Sequence, residues 1–506
     1  MPLNLEVPDW GLILPQFIVF ITSIVVTLLD AFLPKARQYT VLTVVSLLGY
    51  GAALVALIDQ SGKDGETFHG LFQGDGLTVF LSFVILIAAI LTVLTSASYV
   101  EHLEGRMPIG EFYVLLSFAV LGAILTASAG DMVMLYVGIE LSSLATYILT
   151  AFAKRRVTAL EGALKYFLLG LFASSILLYG MAWIYGSTGS TNIDTIAATI
   201  GGIVSGQDDL DAGLLLGLLL VIVGLGFKIA AVPFHFWTPD AYDGAPTPVT
   251  GYMSVIPKAA GFAAIVRLVI VGLAPLSDDW TTLLAVLALI TMVFGNIVAV
   301  AQRDVKRMLA YSSIAHTGYM LAGFAAFRVT EGFSDGSESE LGVSSVLYYL
   351  LAYTFMNIGA FAIVSWIQHR GRGTTLDDFS GLGASHPFPA VAMTVFLVSL
   401  MGIPPTIGFY AKYYVIVALI DAELLWLALA IVLMSAVSAF FYLRVVAVMY
   451  FQGGNESPKQ FSTPMLNTGI GIMVVGTILL GVFSSRIVEF ANNWADSVSM
   501  VASTLP

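Results

Sequence analysis

Residues 213–248 read GLLLGLLLVIVGLGFKIAAVPFHFWTPDAYDGAPTP, an apolar run long enough to cross a hydrocarbon core but with Pro233 inside it. A proline within a helix removes a backbone hydrogen bond and clashes with the preceding turn, so the span is expected to break. Unwound backbone at membrane depth survives only where protein or water satisfies it. Lys228 lies just before the break and has no polar neighbour within a helical turn on either side. A second run, SLMGIPPTIGFYAKYY at 399–414, repeats the pattern, with Pro404 and Pro405 inside it and Lys412 just after them.

The rest of the chain matches these two runs. Of 506 residues, 58% are hydrophobic and 11% charged, and the mean hydropathy is +0.91. These values exclude a soluble domain and indicate a polytopic, all-α membrane protein. Apolar runs place about fourteen transmembrane helices near 10–33, 40–58, 77–98, 110–129, 131–153, 158–187, 213–239, 247–272, 281–301, 304–326, 344–368, 388–419, 423–451 and 467–490. With no cysteine, the chain cannot hold an iron–sulfur cluster through thiolates, form a disulfide or run thiol chemistry. Any electron transfer is expected elsewhere. The acidic N-terminus, Met1 to Gly11, lacks the pattern of a cleaved signal peptide, so the first apolar run is expected to be retained.

Charge alternates between the loops. Those after odd-numbered spans carry Lys35 and Arg37, Arg106, Lys154 with Arg155 and Arg156, Arg303 with Lys306 and Arg307, Arg370 and Arg372, and Lys459. The other face carries acids, among them Asp59, Asp64, Glu66, Asp75, Asp131, Asp194, Asp208, Asp209, Asp211, Asp278, Asp279, Glu331, Asp335, Glu338, Glu340, Asp421 and Glu423. The positive-inside rule then puts the odd-numbered loops in the cytoplasm and both termini on the outer face. The net charge of -12 thus reports topology rather than a basic ligand, and nucleic acid is disfavoured.

An internal repeat refines this picture. ATYILTAFAKRRVT at 145–158 aligns without a gap to TGYMLAGFAAFRVT at 317–330, pairing Tyr147 with Tyr319, Phe152 with Phe324 and Val157 with Val329. After eleven extra residues in the second copy, LKYFLLGLF from Leu164 aligns to LYYLLAYTF from Leu347, and Trp183 then pairs with Trp366 and Asp194 with Asp377. The matched units lie five spans apart, an odd number, which is the mark of inverted-topology repeats over spans 4–8 and 9–13. The two broken spans, 7 and 12, hold equivalent places in them. Four divisions are expected: 1–108 with three helices, 109–273 and 274–453 as the two repeats, and 454–506 with helix 14 and a tail.

Ionisable side chains at this depth are costly and mark paths for charge. Lys165, Lys228, Lys258, Lys412 and Glu140 all lie within spans. Desolvation disfavours the charge on Lys228 and a nearby carboxylate restores it, so movement of Glu140 toward and away from Lys228 would let the lysine hold and release a proton. A static buried pair is the alternative. Lys258, after Pro257, suits a central relay. Lys165, about two turns into its span, has two readings, function or snorkelling to the interface. Tyr410, Tyr413 and Tyr414 beside Lys412 are candidates to anchor water. His316, in a polar run with Ser312, Ser313 and Thr317, reads either as a relay or as a packed histidine. His235 and Trp237 read as interfacial anchors, Arg267 and Arg444 as snorkelling residues, and Asp240 and Asp243 as a solvated mouth of span 7. The sequence has no P-loop, no dinucleotide fingerprint in a strand–helix setting and no HExxH motif.

The strings GLGFKIAAVPFHFWTPDAYDGAPTPV, KRMLAYSSIAHTGYM and GIPPTIGFYAKYYV closely resemble the antiporter-like subunits of respiratory complex I, the proton-pumping NADH:quinone oxidoreductase. They are most similar to the N type, akin to mitochondrial subunit 2. GIEL around Glu140 and a lysine at 412, where the M type has glutamate, favour that type. So does a chain that stops after span 14 without the L type's lateral helix. The resemblance implies fourteen helices, inverted five-helix repeats and a hydrophilic axis in the membrane plane. It implies that Glu140 and Lys228 form a modulating ion pair, that Lys258 is the central and Lys412 the terminal lysine, and that Lys165 is a further lysine of this type. It also implies a bacterial inner-membrane location among other membrane-arm subunits, the M type and the small K and J types. This chain would carry no cofactor; NADH, FMN, iron–sulfur clusters and quinone would belong to partner subunits. Two other readings remain at this stage, a subunit of a multi-subunit cation/proton antiporter and a non-transporting scaffold of the membrane arm.

Overall fold

The computed structural model describes residues 8–102, 109–206, 211–327, 340–453, 464–488 and 491. Arg106, Asp208, Asp209, Arg328, Val329, Glu331, Asp335, Glu338 and Lys459, and the side chain of Glu340, lie outside the described residues. The first six expected spans are the helices α1 (Trp10–Phe32), α2 (Lys35–Gln60), α3 (Gly76–His102), α4 (Ile109–Ala127), α5 (Met132–Thr150) and α6 (Val157–Thr188). A short amphipathic helix, α7 (Ile193–Ser205), follows, and span 7 is split into α8 (Ala212–Lys228) and α9 (Trp237–Gly244). Span 8 comprises α10 (Thr247–Met253), α11 (Ile256–Ala264) and a π-helical stretch over Ile265–Gly272. Spans 9 to 11 are α12 (Ser277–Ala301), α13 (Val305–Ala325) and α14 (Glu340–His369). After the four-residue α15 (Leu382–Ser385), span 12 is split into α16 (Pro387–Met401) and α17 (Ile407–Asp421), and α18 (Leu425–Phe451) and α19 (Pro464–Val482) complete the set.

Eleven of these segments are long and apolar enough to cross a membrane by themselves. The three expected spans that fall short are the two broken ones and α13, whose Ser312, Ser313, His316 and Thr317 dilute its hydropathy. Those three carry Lys228, Lys412, Lys306 and His316 among the buried ionisable groups. α13 and α14 are buried along nearly their whole length, whereas α1, α2 and α18 present Phe32, Leu48, Ile58, Leu433 and Phe451 outward, as lipid-facing helices do.

Neither α7 nor a small hairpin, β1 (Gly65–Thr67) paired antiparallel with β2 (Phe72–Gly74), was anticipated. α7 buries Ile193, Ile196, Ala197 and Ile200 against the protein, and at thirteen residues it is too short for a span.

The inverted repeat is visible in the backbone. Asp131 caps α5 by accepting from the amide of Val133 at 2.7 Å, and Asp304 caps α13 by accepting from that of Arg307 at 3.0 Å. Each then forms a two-residue antiparallel bridge with a distant segment, Asp131 with Asn192 and Asp304 with Thr375. The amides of Met132 and Val305 donate to Thr191 and Thr374 carbonyls, each at 2.8 Å; those of Ile193 and Leu376 donate to Gly130 and Arg303, each at 3.0 Å. At the breaks, Ala230 (φ 63°) matches Gly402 (φ 89°) and Pro233 matches Pro405, each pair 172 positions apart.

Candidate functional site

The first break begins at the end of α8. Beyond Lys228 the helix stops at Ala230, whose left-handed backbone turns the chain. Several of the freed backbone groups find partners: the Ala231 amide donates to the Gly226 carbonyl at 2.8 Å, Trp237 Nε1 to that of Phe227 at 3.1 Å and Thr317 Oγ1 to that of Ile229 at 2.8 Å, while the Val232 amide donates to Thr291 Oγ1 at 3.0 Å. Unwinding is thereby tolerated, and Lys228 is left at a helix end with its ammonium pointed across the bundle.

That ammonium meets Glu140 of α5. Lys228 Nζ lies 3.0 Å from Glu140 Oε1 and donates also to Ser143 Oγ and Ser174 Oγ, each at 3.0 Å. Ser174 in turn donates to the same Glu140 oxygen at 2.5 Å. The lysine side chain is 6% exposed and the glutamate 17%, so the pair is largely desolvated and each charge depends on the other. The contact expected between Glu140 and Lys228 is present. The two serines that complete it were not foreseen, because they come from α5 and α6 and have no sequence proximity to Lys228.

Lys258, on α11, is buried within the bundle and has no carboxylate among its hydrogen-bond partners. It donates to the Ser313 carbonyl and Oγ, each at 2.7 Å, and to Thr317 Oγ1 at 2.8 Å. Thr317 is the residue that holds the Ile229 carbonyl, so the central lysine and the first break share a partner. One residue before Thr317, His316 sets Nδ1 2.6 Å from the Tyr349 hydroxyl and Nε2 3.3 Å from that of Tyr442. The imidazole lies within electrostatic reach of both Lys258 and Lys412. Ser312 also bonds the Tyr442 hydroxyl. The polar run on α13 thus faces inward, between two lysines.

At the second break, Lys412 reaches back from α17 and donates to the Leu400 and Met401 carbonyls at the end of α16, each at 3.0 Å. Those carbonyls are helix-terminal acceptors without intrahelical partners, where a cation is favoured. The Lys412 ammonium also sits 4.9 Å from the Tyr319 ring centre. Tyr413, one of the tyrosines beside Lys412, is half exposed and stacks on Phe409.

Lys165 lies apart from this set. Its ammonium, on a half-exposed side chain, pairs with Asp240 at 2.8 Å and Glu161 at 2.7 Å. Arg307 joins Asp240 at 3.2 Å and Asp243 at 3.4 Å. Asp240 and Asp243 are therefore tied into an ion-pair cluster rather than simply solvated. Burial raises the Asp240 carboxyl, but Lys165 and Arg307 outweigh it and hold Asp240 below the usual carboxylate range.

Several residues depart from expectation. Arg267 does not snorkel: it is buried and forked onto Asp75 at 2.6 and 2.7 Å, with further bonds to Thr78 Oγ1 and the Ala127 carbonyl. Its partner is 192 positions away, so no local signal marks the pair. Arg444 reaches the Val300 and Gln302 carbonyls. Lys306, read as a loop cation, is 1% exposed and donates to the Asp243 and Ala245 carbonyls. His235 and Trp237 are buried at the break, the histidine against Phe294 and the tryptophan stacked on Tyr166, rather than anchored at an interface.

Known proteins are similar to this chain in sequence and fold. Residues 129–438 match the family model described as NADH:quinone oxidoreductase/Mrp antiporter, TM. The chain is 41% identical to NADH-quinone oxidoreductase subunit N of Trichlorobacter lovleyi over 484 residues, which cover 95% of this chain and 96% of that protein. A chain of respiratory complex I from Thermus thermophilus superposes with a TM-score of 0.77 at 32% identity, covering 94% of this chain and 99% of that one. A chain of the Mrp complex from Dietzia sp. gives 0.83 at 22% identity over 98% and 100% of the two chains, a likeness of fold. With its two repeats, its paired breaks and these relatives, the chain belongs to the NADH-quinone oxidoreductase subunit N family.

Proposed function

We propose that the chain moves protons as a membrane-arm subunit of an NADH:quinone oxidoreductase, along Glu140, Lys228, Lys258, His316 and Lys412, with Lys165 in the cluster at one mouth. The observation that carries this reading is the Glu140–Lys228 contact at 3.0 Å, beside a broken helix and inside a desolvated bundle. Separating the pair disfavours the charge on Lys228 and releases its proton; closing it favours uptake. Lys258 and Lys412, bound to hydroxyls and carbonyls, offer the next acceptors. Ammonium groups recur along the route, with Glu140 as its one carboxylate; they carry protons themselves and repel a metal cation, which favours protons over sodium.

Redox chemistry belongs on this reading to partner subunits that bind NADH, FMN, iron–sulfur clusters and quinone, since a chain without cysteine supplies no thiolate for a cluster. Its neighbours are the M-type and the small K- and J-type membrane subunits, in a bacterial inner membrane with both termini on the outer face. The divisions 1–108, 109–273, 274–453 and 454–506 follow the repeats. The decisive experiment is Lys228→Ala in the assembled complex, with proton uptake and quinone reduction measured together and assembly checked on a native gel. Loss of coupled uptake is expected. Normal pumping at full assembly would overturn the reading and leave a scaffold.

A further inference from the structure

On α14, Tyr349, Tyr353, Asn357 and Phe361 recur every four residues and form one stripe. The stripe borders the Lys258 site along its length. Tyr349 bonds His316 at 2.6 Å, and the Tyr353 ring centre lies 5.3 Å from that of His316. At the other end, Phe361 packs 6.1 Å from Tyr242, whose hydroxyl is 3.5 Å from Ser313 Oγ, the same hydroxyl that Lys258 holds. Asn357 lies between these contacts. It is completely buried, and among the described residues neither its Oδ1 nor its Nδ2 has a hydrogen-bond partner; the Tyr353 hydroxyl faces the Ser313 side chain without a close hydrogen bond. Native interiors rarely leave an amide unsatisfied at both ends unless it serves water or an ion.

The repeat supplies the second observation. The register that pairs Trp183 with Trp366 and Asn192 with Thr375 sets Ser174 opposite Asn357, each pair 183 positions apart. Ser174 is the hydroxyl that joins Lys228 to Glu140. The second copy of that position is therefore polar and buried, without a hydrogen-bond partner among the described residues, one turn along α14 from Tyr353.

We propose that Asn357 and Tyr353 hold a water-bridged proton step beside Lys258, as Ser174 bridges Lys228 and Glu140. Asn357 is a positioning residue in that step. Its amide oxygen accepts from a water and its amide N–H donates to the next, while the proton passes from water through the Tyr353 hydroxyl and then the Ser313 hydroxyl to the Lys258 amine, each hydroxyl giving up one proton as it takes another; the amide itself neither gains nor loses a proton. The inference rests on the proton-translocation reading above.

The test uses the complete oxidoreductase in sealed vesicles. Asn357→Leu keeps the branched four-heavy-atom shape without polarity, and Asn357→Ser installs the residue of the first repeat. The leucine variant is expected to assemble and to lose coupled proton uptake by roughly tenfold, with the serine variant within about twofold of the parent. Uptake at the parental rate in the assembled leucine variant would overturn the inference, as would an equal loss in both variants, which would mark a packing role. Should the leucine variant fail to assemble, Tyr353→Phe, which removes only a hydroxyl, decides in the same way. Lys258→Ala is run alongside. If it alone abolishes uptake, the water step fails while translocation stands; if it too pumps normally, the broader reading fails.

Discussion

The two broken helices solve one problem with the same backbone and different charges. In each, a left-handed residue (Ala230 or Gly402) ends the first half-helix and a proline (Pro233 or Pro405) follows three positions later. The register that aligns them sets Lys228 opposite Leu400 and Lys412 opposite Asp240, each pair 172 positions apart. Lys228 projects away from its own break to a carboxylate on α5. Lys412 folds back and neutralises the carbonyls of the residue equivalent to Lys228 and its neighbour. One lysine is controlled by a formal charge that can be withdrawn, and the other by the fixed partial charges of a helix end. On the proton-transfer reading proposed above, the first break is the one that switches. The second holds its cation until something else competes for it.

The difference can be tested from its strongest consequence downward. Lys228→Ala leaves Glu140 buried without its cation and should lower the stability of the assembled complex by about 3–5 kcal/mol, read from thermal release of the subunit. The double substitution Glu140→Leu with Lys228→Met should recover most of that stability and none of the pumping. Lys412→Met removes a cation from helix-terminal carbonyls only, so its stability cost should be nearer 1–2 kcal/mol; an effect as large as that of Lys228→Ala would erase the distinction. Gly402→Ala places a Cβ 3.1 Å from Lys412 Cδ at φ 89°, and should cost about 1–2 kcal/mol and perturb the second lysine. Ala230→Gly relaxes the same backbone state in the first break and should stay within about 1 kcal/mol of the parent. Smallest of all is the response of the mouth cluster to pH. A depressed carboxyl such as Asp240 adds stability that is fully present above its unfolded value of about 3.9 and lost as pH falls through its lower folded value. Titration from about pH 8 to 5 should therefore leave the Lys165–Asp240 pair intact, as followed by the protection of α9 amides from exchange.

Much of this organisation is legible in the sequence. Span positions follow from apolar length, and the breaks follow from Pro233, Pro404 and Pro405, because proline acts locally. Glu140, Lys228, Lys258 and Lys412 stand out because a charge at depth needs a partner, and the first two do pair. The choice of partner was not legible wherever it depends on packing between distant helices. Arg267 near the end of an apolar run reads as a snorkelling residue until Asp75, from the start of α3, is brought against it. Lys306 belongs to a basic loop by sequence, yet the turn after α9 presents it with two carbonyls. α7 and the small hairpin escaped notice because segments of thirteen and three residues carry too little periodicity beside spans of twenty.

The paired bridges at Asp131–Asn192 and Asp304–Thr375 bear on origin as well as architecture. Each ties the cap of a helix to a segment about two helices later in the same half, so each half closes part of its own rim, while Lys306 and Arg307 of the second half also reach Asp243 and Asp240 of the first. A unit that closes on itself can be copied whole, inserted upside down and still find its own contacts. Two such units differ here in the chemistry of their breaks, one giving its lysine a carboxylate and the other the bare end of a helix.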